Sequence, residues 1–264
     1  EANFAKLIGS KYAVGVNSGT DAIKLALRVL NVQSGDEVII FKPYWVSFPD
    51  FVSITGAKPV LVDTDPDKQF EPIFKDLEDK ISSNTKGIII NSPSNPTGGV
   101  WSNGAIIRTL QIAQEKNLWV FSDECYEQLT YENPFTSIAT LTKNKDKILT
   151  FQSCSKTYAM TGWRIGYTIC DEIIVKAMSK LQGQSTSCPN SIAQYAAIEA
   201  LIGDQKSVIE MRETFIKRRD LIVSRLNDIP GISCNLPGGA FYVFPNISDY
   251  LGCSFKDITV NLGS

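Results

Sequence analysis

Along the chain the hydrophobic pattern alternates between two kinds of segment. Helix-like stretches run over residues 2–9, 20–30, 45–55, 72–82, 102–116, 171–182 and 189–202. Between them lie short apolar runs with polar or glycine borders: 12–16, 37–41, 59–62, 87–91 (GIIIN), 118–122 (LWVFS), 147–152 (KILTFQ) and 164–169 (RIGYTI). These predict buried strands. Alternation of this kind predicts an α/β chain whose strands form a mostly parallel sheet sandwiched by helices. Residues 205–228 form one long, charged helical stretch that Pro230-Gly231 breaks, and 240–244 (AFYVF) reads as a further strand. The expected division is therefore a large domain over 1–205, then a linking helix and the start of an incomplete small α+β domain over 206–264.

Composition narrows the chemistry. The 264 residues include 26 Lys and Arg, 28 Asp and Glu and no His, for a formal charge of −2. That balance offers no basic footprint for nucleic acid and no cationic face for a membrane. Without histidine, no Ser-His-Asp or Cys-His arrangement can form within the chain, and zinc sites built on imidazole are excluded. Proton transfer near neutral pH falls to Lys, Tyr, Cys or a carboxylate. Six cysteines lack C-x-x-C spacing and are expected to be reduced, mostly buried small hydrophobes. There is no apolar run of about 18 residues and no signal peptide, so a cytoplasmic protein is expected. Glu1 opens directly into helix-like sequence and Gly263-Ser264 stops without a closing element, so the expectation is a fragment or an excised domain.

Ligands on open α/β sheets bind outside the carboxyl ends of the strands. The polar residues placed there form a short and unusual set. Ser18-Gly19-Thr20 follows a strand and opens a helix, which suits an anion, although a plain helix cap explains it equally well. Arg164, Ser153 and Ser155 add donors suited to a phosphate. Asp123 ends a strongly apolar strand with no cation nearby in sequence, and Lys156 lies in a Ser/Thr/Tyr-rich loop after another. A lysine so placed can condense with an aldehyde. Trp45 could belong to the core or stack on a planar ring, and Asn95 is a turn residue or a donor to a ring hydroxyl. Each residue alone has an ordinary structural explanation. Together an anion cradle, an aromatic plate, a carboxylate, a phenol at Tyr126 and an amine match one ligand, pyridoxal 5'-phosphate.

The tracts 91–99 (NSPSNPTGG), 122–131 (SDECYEQLTY) and 153–167 (SCSKTYAMTGWRIGY) resemble the class I and II aminotransferases of pyridoxal phosphate fold type I. Those at 43–48 (PYWVSF), 183–197 and 237–244 (PGGAFYVF) are similar to bacterial-type aspartate aminotransferases of the Ib kind. The similarity spans about residues 37–264. Residues 1–40 look more like the DegT-type sugar aminotransferases, also fold type I, which suggests a composite with a change-over near residues 35–41.

This resemblance implies the fold type I large domain, with a mostly parallel seven-stranded sheet between helices. It implies that Lys156 is the Schiff-base lysine and proton carrier, and that Asp123 faces the pyridine nitrogen. Tyr126 and Asn95 would donate to the ring's phenolic oxygen and Trp45 would stack on its face, Trp45 and Asn95 also meeting the substrate. Gly19, Thr20, Ser153, Ser155 and Arg164 would hold the phosphate. The family's arginine for the substrate α-carboxylate has no counterpart in these residues, nor does its tyrosine that reaches a neighbouring subunit's phosphate. The implied activity is transfer of an amino group between an amino acid, aspartate-like by first guess, and a 2-oxo acid, in a homodimer. Elimination or decarboxylation on the same scaffold, or cofactor binding with little turnover, remain open alternatives.

Overall fold

The computed structural model describes residues 1, 5, 6, 9–255 and 258–260. The helix expected over residues 2–9 falls largely outside them. Seven strands form the central sheet: β1 (Ala13–Val16), β2 (Glu37–Phe41), β3 (Lys58–Val62), β4 (Thr85–Asn91), β5 (Trp119–Asp123), β6 (Ile148–Ser153) and β7 (Gly166–Ile169). Their spatial order is β1-β7-β6-β5-β4-β2-β3. Every neighbouring pair is parallel except the two that involve β7, which runs against both β1 and β6. The mostly parallel seven-stranded sheet expected from the sequence is therefore present.

The helices are α1 (Gly19–Val29), α2 (Ser47–Ser53), α3 (Phe74–Lys80), α4 (Asn103–Glu115), the single turn α5 (Cys154–Thr157), α6 (Glu172–Gly183), α7 (Ser191–Ile202) and α8 (Lys206–Asn227). Side chains alternate across a strand, so an unbroken apolar run has to be covered on both faces. Val38 and Ile40 of β2 point into one core with Ile23 and Leu27 of α1, Phe48 and Phe51 of α2 and Met178 of α6. Their neighbours Ile39 and Phe41 point into the other, with Leu77 of α3 and Ile106, Leu110 and Ile112 of α4. The same division separates Ile89 and Phe121 from Ile88, Ile90 and Val120. Each fully buried Ile, Leu or Phe contributes about 1.5–3 kcal/mol, so the two cores hold the sheet between its helical layers.

The long helix α8 carries a solvated face, as its charges suggest, but Arg219 is nearly buried. Its guanidinium pairs with Glu132 and donates to the Pro237 carbonyl oxygen at 3.1 Å, which ties α8 to the loops beside the sheet. Residues 240–244 are not a strand. The chain turns at Ala240 and Phe241, where Ala240 N–H donates to the Leu129 carbonyl (2.8 Å) and Tyr131 N–H to that of Gly238 (3.0 Å). The apolar run is there for packing against Tyr126, Leu129 and Phe215 rather than for pairing along a ladder. The six cysteines are unpaired. Only Cys154 and Cys234 are buried, with Cys125 and Cys170 half-buried and Cys188 and Cys253 exposed, so the expectation of mostly buried thiols fails.

Candidate active site

Strand direction decides which residues meet. β1, β2, β4, β5 and β6 point their carboxyl ends to one edge of the sheet, and in-register pairing sets Asn91 beside Asp123. β7 runs the opposite way, so the residues before it, Arg164 among them, reach the same edge, with Ser153 opposite Gly166. A cleft of about 370 Å³ opens there. Gly19, Thr20, Trp45, Asn95, Asp123, Tyr126, Ser153, Ser155, Lys156 and Arg164, all the residues singled out from the sequence, line it.

Local structure explains each placement. Ser18 caps α1 by accepting the Asp21 N–H at 3.1 Å, which leaves the first-turn N–H groups of Gly19 and Thr20 without helical partners at the cleft. Gly166 lets β7 approach this helix start: a Cβ there would lie 2.9 Å from both the Gly19 nitrogen and the Gln152 carbonyl oxygen. Ser153 accepts the Ser155 N–H (3.1 Å) and donates to the Ser155 hydroxyl oxygen (2.9 Å) or the Ile165 carbonyl (3.2 Å). Arg164 sits at φ 52°, its guanidinium donating to the Thr161 carbonyl at 2.8 Å, and no carboxylate pairs with it among the described residues. Trp45 is wedged edge-on against Phe48 and Phe51, each ring centre 5.5 Å away, so its orientation is fixed by packing. Asn95 N–H donates to the Asn91 side-chain oxygen (2.8 Å), and the Asn91 amide donates in turn to the Asp123 carbonyl (3.1 Å).

Asp123 is buried, and its carboxylate accepts the Cys125 N–H at 3.2 Å. No ion pair involves it among the described residues. Burial pushes its pKa up to about 6, against the opposing pull of the Cys125 N–H and the Lys156 charge. Burial also raises the Cys125 thiol well above its ordinary range. Lys156 is half-buried and has no hydrogen-bond or ion-pair partner among the described residues. Its Nζ stands 5.6 Å from the centre of the Phe241 ring and 6.0 Å from that of Tyr126. Tyr126 is 2% exposed, its hydroxyl 2.7 Å from that of Tyr242. Burial, with Tyr242 beside it, lifts the Tyr126 phenol far above the usual range.

The cleft thus offers unpaired donors for an anion at one place, a buried carboxyl lacking a cation at another, and a free amine beside the rings of Phe241 and Tyr126. A matching of the chain to the model of the aminotransferase class I and II family extends over residues 1–257. The chain belongs to the class I and II aminotransferases. The match begins at residue 1, so the opening segment likened above to sugar aminotransferases lies within it. Among curated relatives, the aspartate/prephenate aminotransferase of Cereibacter sphaeroides is 42% identical over 255 residues, covering 94% of this chain and 64% of that protein. The aspartate aminotransferase of Bacillus subtilis is 44% identical over 226 residues, covering 84% and 58%. The solved aspartate aminotransferase of Rhizobium meliloti superposes with a TM-score of 0.89 at 38% identity, over 95% of this chain and 64% of that one. The chain therefore spans about three-fifths of the length of these relatives.

Aminotransferases of this class use pyridoxal phosphate, and the donor set suits it. The helix start with Arg164 fits a phosphate, the carboxyl of Asp123 fits a protonated ring nitrogen, and the amine of Lys156 fits an aldehyde. Sequence reasoning passed over Asn91, Cys125, Thr161 and Tyr242, which also line the cleft. Asn91 ends the GIIIN strand, so the strand-end rule applied fully would have found it. No local signal marks Tyr242, which reaches the cleft from 116 residues beyond its partner Tyr126. No helix among the described residues is long and apolar enough to cross a membrane.

Proposed function

We propose that this protein moves an amino group from an amino acid, with an aspartate-like donor first, to a 2-oxo acid, using pyridoxal phosphate held in the cleft. The observation that carries the proposal is the convergence of Lys156, Asp123, Arg164 and the start of α1 on one cavity. When bound, the cofactor supplies an aldehyde carbon for an amine and a ring that accepts electron density. The Gly19 and Thr20 N–H groups, the Ser153 and Ser155 hydroxyls and the Arg164 guanidinium would bind its phosphate. Trp45, fixed by Phe48 and Phe51, would offer its ring to the cofactor and exclude water from it. Asn95 and Tyr126 would donate to the ring's phenolic oxygen.

Asp123 would hold the ring nitrogen's proton by taking the charged form, since a cation at hand would remove the penalty that burial imposes on it. Lys156 would hold the cofactor's aldehyde carbon through Nζ, and with its amine free the same Nζ would carry the proton of the substrate α-carbon. The flanking rings of Tyr126 and Phe241 limit water around it.

The division after about residue 205 into a cofactor-binding body and the start of a second unit is part of this reading, as is a homodimer. Exposed Ile192, Tyr195 and Ile202 along α7 supply apolar surface for a second copy. Six unpaired cysteines fit a reducing, cytoplasmic setting. The test is borohydride trapping followed by mass analysis: wild type is expected to carry the cofactor on Lys156, and Lys156→Ala to carry none. A trapped bond in Lys156→Ala overturns the assignment. Turnover that needs no 2-oxo acid would replace transfer by elimination or decarboxylation, and a cofactor-loaded protein inert toward every amino acid would leave binding alone.

A further inference from the structure

We propose that Tyr242 is a positioning residue that turns the hydroxyl proton of Tyr126 into the cleft. The inference rests on the cofactor reading above and deepens it. The two phenol oxygens are 2.7 Å apart and the rings stand nearly perpendicular, at 81° with centres 5.7 Å apart. A phenol has a single proton to donate. If Tyr126 donates to Tyr242, it presents only lone pairs to the cleft and repels an anionic oxygen there. If Tyr242 donates, the proton of Tyr126 is free for that oxygen. An acceptor in the cleft therefore requires Tyr242 to be the donor, and a phenol that accepts one hydrogen bond is the stronger donor of the next.

The backbone places Tyr242 firmly enough for this role. The preceding turn is held from two sides, by Ala240 N–H on the Leu129 carbonyl (2.8 Å) and Gly239 N–H on the Gly98 carbonyl (2.9 Å). A Cβ on Gly239 would come within 2.7 Å of the Leu129 oxygen, so the turn fits only at this close approach. The titratable groups facing the phenol pair are Asp123, Cys125 and Lys156. None of them bonds either hydroxyl, so the acceptor in the cleft sets the donor order of the pair.

The readout is the pH midpoint of the visible absorbance of the lysine-bound cofactor, titrated in the 264-residue chain. The phenolic oxygen carries more charge once the nitrogen of bound Lys156 has lost its proton, so a donor to that oxygen lowers the midpoint and loss of a donor raises it. Tyr126→Phe is expected to raise it most, and Tyr242→Phe by roughly half a pH unit. The double variant should match Tyr126→Phe alone, because Tyr242 acts only through Tyr126. Tyr242→Phe keeps the ring, so a merely packing role would leave the midpoint unmoved. An unmoved midpoint, or a shift that adds in full to that of Tyr126→Phe, overturns the inference while leaving the cofactor assignment standing. A wild-type chain with no visible band overturns the assignment and this inference with it.

Discussion

Asp123 and Glu124 are consecutive, both acidic and both buried at the end of β5, yet the molecule treats them in opposite ways. Asp123 lines the cleft and accepts a backbone N–H from Cys125. Glu124 turns away from the cleft into a closed set of neutral donors. Its Oε1 accepts the Ser122 hydroxyl (3.1 Å), the Ser137 hydroxyl (3.1 Å) and the Ile138 N–H (3.0 Å), and its Oε2 accepts the Gln152 amide (3.3 Å). The same Gln152 amide donates to Glu127 at 2.6 Å. Burial lifts both neighbours, Asp123 to about 6 and Glu124 to about 7. A raised carboxyl therefore does not by itself mark a ligand site; the source of its donors does. Where the protein supplies several donors in a closed set, the acid belongs to the architecture; an acid in an open cleft with a single backbone donor has room for a partner from outside.

The sharpest way to break this comparison is Asp123→Asn. Under the proposed function, amino-group transfer is expected to fall by roughly 10²–10³-fold, because the ring nitrogen would lose its charged partner. Cofactor-free stability should hold or rise, since an uncompensated buried acid is removed. Steady-state kinetics and thermal melting of the cofactor-free chain measure the two halves, and a lowered melting temperature would place Asp123 with the structural acids. Glu124→Ala should show the reverse. It strands several buried donors, so urea unfolding is expected to lose about 2–4 kcal/mol. Cofactor affinity of the folded fraction should stay within a few-fold of wild type, and a larger loss would erase the distinction.

A smaller effect sharpens the back side of β5. Glu127, like Glu124, is raised by burial from 4.5 to about 7. Between those values the folded chain keeps protons that the unfolded chain has released, so these groups make stability fall as pH rises through this window and level off above it. Glu127→Gln removes one of the two acids and its repulsion of the other. The stability difference between pH 5 and pH 8 should then shrink by roughly 1–3 kcal/mol, read from urea midpoints. An unchanged difference would mean that Glu127 is charged throughout.

Much of this was legible from residues alone. The run GIIIN at 87–91 is a strand buried on both faces, and the helix start at Ser18 carries its own capping side chain. The cleft residues were legible because polar groups placed directly after apolar strands stand out. Two things were not. Residues 240–244 have the apolar, aromatic makeup of a strand, but strand formation needs a partner edge, and here Leu129 and Tyr131 take the backbone groups of the turn instead. Tyr242 had no neighbour in sequence to give it meaning.

Periodicity and residue type, which act over a few positions, determined the alternating α/β character, the element positions and the kinds of group at each strand end. Only the packed sheet decided that β7 would run against its neighbours and bring Arg164 to the helix start. It alone decided that Asp123 and Glu124 would face different surroundings and that one tyrosine would meet another across 116 residues. The reason is that hydrogen bonding and desolvation depend on which groups are brought within a few ångströms, and for distant segments strand order and direction settle that.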